Sequence, residues 1–299
     1  MQLSVNNLKQ TFGKTIVFQN VNFTVSPGEI VALIGRNGSG KTTLMQTVIG
    51  ILQGREGTIR IDGTDINKRV AAKKDIVFIP DRFDYFNNKK LTEVVEMYEL
   101  VYEDFDRTVF EASLQSLNLR VSVTSRLGSY SKGERMLVAC LLALSTRAKF
   151  LLLDEPFDGI DVVNVDKLNR IIIEAAEYGT AIIISSHRME TLEKIADRTL
   201  FIEAGGGIAS MDGTGNTGLY KYQLVSRETL PEEFLRRPDI LLLSNLGRVY
   251  TILTNMPVTV ADVPELIIQM DELSVHMEDI LHWQEHEEGG RDVSTGNTN

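Results

Sequence analysis

The chain has 299 residues, 43% of them hydrophobic, with a formal net charge of −10 and a pI of about 5.0. That length provides for two domains, or one with an appendage, and for a substantial core. The acidic balance argues against a nucleic acid partner unless a local basic patch survives it. A single cysteine, Cys140, excludes an intramolecular disulfide and fits a reducing compartment.

Cys140 lies in the run Met136-Leu137-Val138-Ala139-Cys140-Leu141-Leu142 and reads as a small buried apolar residue. The N-terminus, Met1-Gln2-Leu3-Ser4-Val5, lacks the basic-then-apolar pattern of a signal peptide. No apolar run approaches the roughly 18–20 residues that span a bilayer. The expectation is a soluble, cytoplasmic protein that reaches a membrane only through a partner.

In chain order, Leu3–Leu8 and Val21–Val25 read as strands around a hairpin turn at Gly13, with Phe12 an ordinary core or turn aromatic. Glu29-Ile30-Val31-Ala32-Leu33-Ile34 reads as a buried strand. Gly35-Arg36-Asn37-Gly38-Ser39-Gly40-Lys41-Thr42 fits the phosphate-loop pattern, and Thr43–Ile49 reads as the helix after it. Glycines let the backbone curl around phosphate oxygens, and the helix start adds free N–H groups and a positive dipole end. Lys41 can reach the β- and γ-phosphates, and the Thr42 hydroxyl can ligate Mg²⁺. The chain is expected to bind a nucleoside triphosphate.

Thr58–Ile61 and Asp75–Asp81 read as further strands, and Leu91 to about Leu119 as an acidic helical stretch with a solvated face. A long apolar helix follows Ser129–Arg135 and ends near Ala148. Phe150–Leu153 is a continuous apolar strand that delivers Asp154-Glu155-Pro156. Leu168–Tyr178 reads as a helix, and Ala181–Ile184 as a strand delivering Ser185-Ser186-His187. Apolar strands alternating with helices indicate an α/β fold with a largely parallel sheet. Residues 198–211 read as a hairpin turning at Gly205–Gly207.

The domain reading is 1–211, a glycine-rich linker at 212–218, a small α+β domain at 219–286, and a disordered tail at 287–299. Within 219–286 the pattern predicts strands at Tyr220–Val225, Ile240–Ser244 and Val249–Leu253. It predicts helices at Leu230–Arg236, Val263–Met270 and Met277–His286. His282 and His286, four apart, can share a metal on a helix face, but a third ligand is not evident and a solvated face is the preferred reading.

Asp154 stands where an NTPase places the carboxylate that holds Mg²⁺, and Glu155 where it can orient and deprotonate water. His187, at the end of another sheet strand, lies where such sheets line their ligand crevice. Tyr130-Ser131-Lys132-Gly133-Glu134-Arg135, a short distance before the Asp154 strand, resembles the signature of ABC-type ATPases. Phosphate loop, signature, Asp154-Glu155, Asp161 and His187 in this order resemble that family over residues 1 to about 211.

The resemblance implies an ABC-type ATPase domain with a largely parallel sheet, an antiparallel β subdomain and a helical subdomain. ATP and Mg²⁺ are the implied cofactors. Phe12 then matches the aromatic residue that stacks on adenine. Gly35, Asn37, Gly38, Ser39, Gly40, Lys41, Thr42 and Thr43 would hold the phosphates. Thr42, Asp154 and Asp81 would serve the metal, and Glu155, His187 and Lys41 the reaction. Ser131 and Gly133 would contact the γ-phosphate of a second cassette, with Asp161 in the loop after Glu155. ATP would act as the glue of a head-to-tail pair, homodimeric or heterodimeric, and hydrolysis would release it.

The sequence departs from the family where Lys132 and Glu134 replace a glycine and a glutamine of the signature, and where Asp81 replaces a glutamine. Those departures, with the small C-terminal domain, resemble the ATP-binding subunits of YtrB-type bacterial exporters. Membrane permeases would then be separate partners at the inner face of the cell membrane. The alternative is a soluble ABC ATPase acting on ribosomes or nucleic acid. The single cassette, the absence of sustained heptads and the acidic balance count against it.

Overall fold

A computed structural model of the chain describes all residues except 67, 69–73, 118–121, 188, 203–204, 213–217, 260–262, 276–278, 280–281, 284–285 and 287–299. The chain divides into two compact units, Met1–Gly213 and Thr214–Asn299. Among the described residues, no helix is long and apolar enough to cross a membrane.

The first unit opens with a hairpin of β1 (Leu3–Phe12) and β2 (Thr15–Val25), with Leu3 opposite Val25 and Phe12 opposite Thr15. Both strands outrun their apolar segments because Gly13, at φ 60°, places the turn immediately after Phe12. β3 (Ile30–Ile34) is buried along its whole length and leads through the glycine loop into α1 (Lys41–Val48). β4 (Glu56–Ile61) and β5 (Thr64–Asp65) complete an antiparallel sheet in the order β2-β1-β4-β5.

The second sheet adds β6 (Ile76–Ile79), β7 (Phe150–Asp154), β8 (Ala181–Ser186), β9 (Arg198–Ile202) and β10 (Ile208–Asp212) to β3. Its order is β10-β9-β3-β8-β7-β6, with every pair parallel except the β9–β10 hairpin. β7 and β8 are buried at every position, which explains their unbroken apolar runs. Each fully buried Leu, Ile or Val contributes about 1.5–3 kcal/mol. One apolar cluster joins the two sheets through Leu44, Met45 and Val48 of α1. The phosphate loop therefore rests on a foundation shared by both sheets.

The acidic stretch from Leu91 is two helices, α2 (Leu91–Val101) and α3 (Arg107–Ser116). The break is local chemistry: Tyr102 takes extended backbone, and the Asp106 carboxylate caps α3 by accepting from the Val109 N–H at 3.0 Å. The proposed end near Leu119 lies outside the described residues. α4 (Lys132–Ser145) buries Cys140 completely and packs on α3 and on α5 (Val162–Glu177). Burial pushes the Cys140 thiol up to about 12, so it is an inert core residue. A short helix, α6 (Met189–Leu192), follows β8.

The second unit is an antiparallel sheet of β11 (Tyr220–Ser226), β12 (Ile240–Leu246), β13 (Val249–Thr254) and β14 (Ile267–Leu273), in the order β12-β13-β11-β14. A short helix, α7 (Glu232–Leu235), contributes Phe234 to a core with Tyr222, Leu224, Ile240, Tyr250 and Ile252. The buried hydroxyls of Tyr250 and Tyr222 accept from the Leu230 and Val258 N–H groups, each at 3.2 Å. β14 corrects the helix predicted over Val263–Met270. The open edge of β11 pairs with this stretch from Ser226 opposite Ile267 to Lys221 opposite Leu273. That ladder outweighs a weak helical periodicity.

Of the last predicted helix, residues 277–278, 280–281 and 284–285 lie outside the described residues, as does the tail 287–299. Lys221 Nζ donates to both Asp279 carboxylate oxygens, at 2.8 and 2.9 Å. Asp279, His282 and His286 border a cavity of about 580 Å³ with Lys221. Among the described residues, no group of three or more His, Cys, Asp or Glu side chains is placed to hold a metal.

Candidate nucleotide site

The C-terminal ends of β3, β7 and β8 converge on the phosphate loop. Gly38 and Gly40 adopt φ 84° and 104°, the left-handed region that curls the loop before α1 begins at Lys41. A side chain at Gly35 has no room: its Cβ would lie 2.5 Å from both the Ile202 carbonyl oxygen and Ser39 Oγ. Asn37 and Gly38 are exposed, Thr43 is half-buried, and the Ser39 hydroxyl is buried without a hydrogen-bond partner. A buried, unpaired hydroxyl inside a glycine cradle suits an arriving phosphate oxygen.

Lys41 is 6% exposed. Its ammonium donates to the Gly35 carbonyl at 2.8 Å and lies 3.3 Å from Glu155 Oε1. The other Glu155 oxygen, Oε2, accepts from the His187 N–H at 3.2 Å and lies 2.8 Å from His187 Nδ1. An ionised carboxylate only accepts, so Nδ1 is the donor in that contact. Glu155 itself sits at φ 46°, rare for a residue with a side chain. Such a conformation costs about 1–3 kcal/mol and persists where its surroundings enforce it.

Asp154 is 2% exposed. Thr42 Oγ1 donates to its Oδ2 at 2.7 Å, and Ser185 Oγ to its Oδ1 at 2.6 Å. Ser185 also accepts from the Glu155 N–H at 2.9 Å, which ties the two adjacent acids together. Ser185 was legible only as the end of a strand; its role depends on β8 pairing beside β7, with Asp154 opposite Ser185.

Burial holds the Asp154 carboxyl above the ordinary aspartate range; the two hydroxyl donors pull it back down, while the charges of Asp81 and Glu155 push further up. The folded state thus keeps this proton to higher pH than the unfolded chain does. Stability is lost as pH rises from the ordinary aspartate pKa through the raised one. Asp154→Asn is expected to raise the melting temperature without metal by about 2–4 °C at pH 7.5, because it removes a buried charge and both hydroxyls can re-aim. The gain vanishes near pH 3, and stabilisation by Mg-ATP is lost. Thermal unfolding at the two pH values checks it.

The chemistry of this donor set fits a nucleoside triphosphate with a divalent cation. The Thr42 hydroxyl and the Asp154 carboxylate are hard oxygen donors beside the phosphate cradle.

The remaining sequence-predicted residues are Phe12, Asp81, Ser131, Gly133 and Asp161, of which Asp81 is near enough for its charge to act on Asp154. Phe12 is 53% exposed at the tip of the β1–β2 hairpin, free to stack. Asp81 is exposed and lies 3.9 Å from Arg82 Nε. Ser131 is the N-cap of α4, accepting from the Glu134 N–H at 3.2 Å, while the Glu134 carboxylate accepts from the Ser131 N–H at 2.9 Å. That reciprocal box is the physical reason a glutamate suits this position. Gly133 is buried against α5: a Cβ there would meet Asn164 Nδ2 at 2.9 Å and Ile160 at 3.1 Å. Asp161 is the N-cap of α5.

A parallel sheet carrying a phosphate loop against an Asp-Glu strand end defines a phosphate-loop ATPase. Residues 18–158 match the family model described as ABC transporter. The ABC transporter ATP-binding protein YtrB of Bacillus subtilis is 30% identical over 84% of this chain and 86% of its own. The lipopolysaccharide export system ATP-binding protein LptB of Haemophilus influenzae is 31% identical over 78% and 98%. The ribose import ATP-binding protein RbsA of Oceanobacillus iheyensis is 28% identical over 79% of this chain and 50% of its own. A solved structure of the ATP-binding subunit of an ABC transporter superposes with a TM-score of 0.65 at 27% identity, covering 71% of this chain and 90% of that one. The chain belongs to the ATP-binding proteins of ABC transporters. It is an ATPase, with Mg²⁺ as the ion that accompanies the nucleotide.

Proposed function

We propose that the chain is the energy subunit of a bacterial exporter of drugs, antimicrobials or amphipathic peptides, working with separately encoded membrane permeases. One observation carries the catalytic part: the Asp154 carboxylate is held between Thr42 and Ser185 while Glu155 lies between Lys41 and His187. The resemblance to LptB, an export-system protein, supports export, and the similarity to a ribose import protein makes direction a matter for measurement.

In this reading the loop N–H groups from Gly35 to Thr43 and the Lys41 ammonium bind the phosphates, and Phe12 stacks on the base. Thr42 and Asp154, with Asp81, would hold the metal, whose charge would neutralise developing negative charge on the phosphates. Glu155 accepts a proton from the attacking water, and His187 orients the Glu155 carboxylate. Ser131 and Gly133 serve the nucleotide of a second cassette, in a homodimer or a heterodimer. The protein works on the cytoplasmic side, at the membrane only through the permease.

The test is affinity capture of a tagged Glu155→Gln variant from detergent-solubilised membranes with Mg-ATP. An integral membrane partner is expected, and ATP-driven uptake of its cargo into inside-out vesicles establishes export. Capture of ribosomes without a permease sinks the reading, and uptake into right-side-out vesicles reverses the direction.

A further inference from the structure

Lys132 is an odd choice at its position. It is the first residue of α4, where a cation opposes the positive end of the helix dipole. A residue that breaks a local rule calls for a compensating contact. Here the Lys132 ammonium donates to Asp158 Oδ2 at 2.8 Å. Its methylenes lie along Gly159, where an added Cβ would meet Lys132 Cδ and Nζ at 3.4 Å.

Asp158 belongs to the turn that begins at Glu155. The Asp158 N–H donates to the Glu155 carbonyl at 3.1 Å, closing Glu155-Pro156-Phe157-Asp158. Glu155 holds its left-handed backbone at the head of that turn, and Phe157, 1% exposed, anchors its middle. Beyond the turn, Ile160 and, from α5, Asn164 pack on Gly133. α4 therefore holds the Glu155 turn by charge, through Lys132 on Asp158, and packs through Gly133 on the segment that follows it.

We propose that Lys132 is a positioning residue for hydrolysis, acting through Asp158 to hold the Glu155 carboxylate in place. The inference rests on Glu155 being the acceptor of the water's proton. Both partners are substantially solvent-exposed, 36% and 47% for the side chains, so the pair adds little to stability. Its consequence is geometric: a catalytic group displaced by about 1 Å can cost a hundredfold in rate. A glycine in the place of Lys132, as in the usual signature, has no such arm. The substitution thus links the signature helix and the catalytic turn within one chain.

Steady-state ATPase and thermal unfolding of the full chain test this in wild type, Lys132→Met, Asp158→Asn and the charge-reversed pair Lys132→Asp with Asp158→Lys. Each single variant is expected to lower kcat about tenfold or more with KM within about twofold. Melting temperature should shift by no more than about 2 °C, and the reversed pair should recover most of kcat. Single variants with wild-type kcat, or a loss that the reversed pair fails to recover, overturn the proposal. Glu155→Gln, run in parallel, separates the two readings. If it retains hydrolysis, the role of Glu155 falls and this inference with it. If it abolishes hydrolysis while the Lys132 and Asp158 variants keep wild-type kcat, only the positioning role falls.

Discussion

Glu155→Gln is expected to slow ATP hydrolysis by about a thousandfold while leaving nucleotide affinity within a few fold, the scale of losing a general base. The carboxylate is 17% exposed and has opposed partners, Lys41 at 3.3 Å on Oε1 and His187 at 2.8 Å on Oε2. An amide keeps the shape and one acceptor. Its NH₂ cannot accept, so it meets either the ammonium or the His187 donors as a repelling neighbour, and it cannot take a proton from water. ATP should then bind without turnover, and the variant should accumulate as an ATP-dependent dimer. Phosphate release together with size-exclusion chromatography in Mg-ATP reads both outcomes. A rate within tenfold of wild type would place the proton acceptor elsewhere.

Lys41→Met is expected to fail at the earlier step. Apparent ATP affinity should fall about a hundredfold or more, since the lost group is a nearly buried charge aimed into the phosphate cradle. The fold should survive. Methionine matches the stem, and the Gly35 carbonyl, relieved of the ammonium at 2.8 Å, retains access to the loop's N–H groups and water. Titration with a fluorescent ATP analogue is the direct measurement. Loss of binding here beside retained binding in Glu155→Gln separates the phosphate-holding group from the proton acceptor. Retained binding in both variants would remove Lys41 from the site.

Much of the first unit was legible because its signals are local. Ile30–Ile34 and Phe150–Leu153 are apolar at successive positions, as a strand covered on both faces requires. The phosphate loop could be read because a glycine-specific backbone, seen at Gly38 and Gly40, must be written in glycine. Local reading failed where propensity is weak and partners are distant. Ile267–Leu273 became a strand because β11 offered it an edge. The stretch after Leu91 broke because Asp106 could cap a second helix.

By itself, then, the sequence determined the α/β class of the first unit, the phosphate loop, and the acids Asp154 and Glu155 at a strand end. It also marked Lys132, Glu134 and Asp81 as departures without saying what they touch. Tertiary structure decided the rest. Ser185 became a link between Asp154 and Glu155 because parallel pairing set β8 beside β7. His187 reached Glu155 across 32 positions of sequence, and Lys132 found Asp158 across 26. The physical reason is the same in each case. Backbone preference is a property of a few neighbouring residues, whereas a hydrogen bond between side chains exists only after the sheet and helices have brought distant positions within about 3 Å.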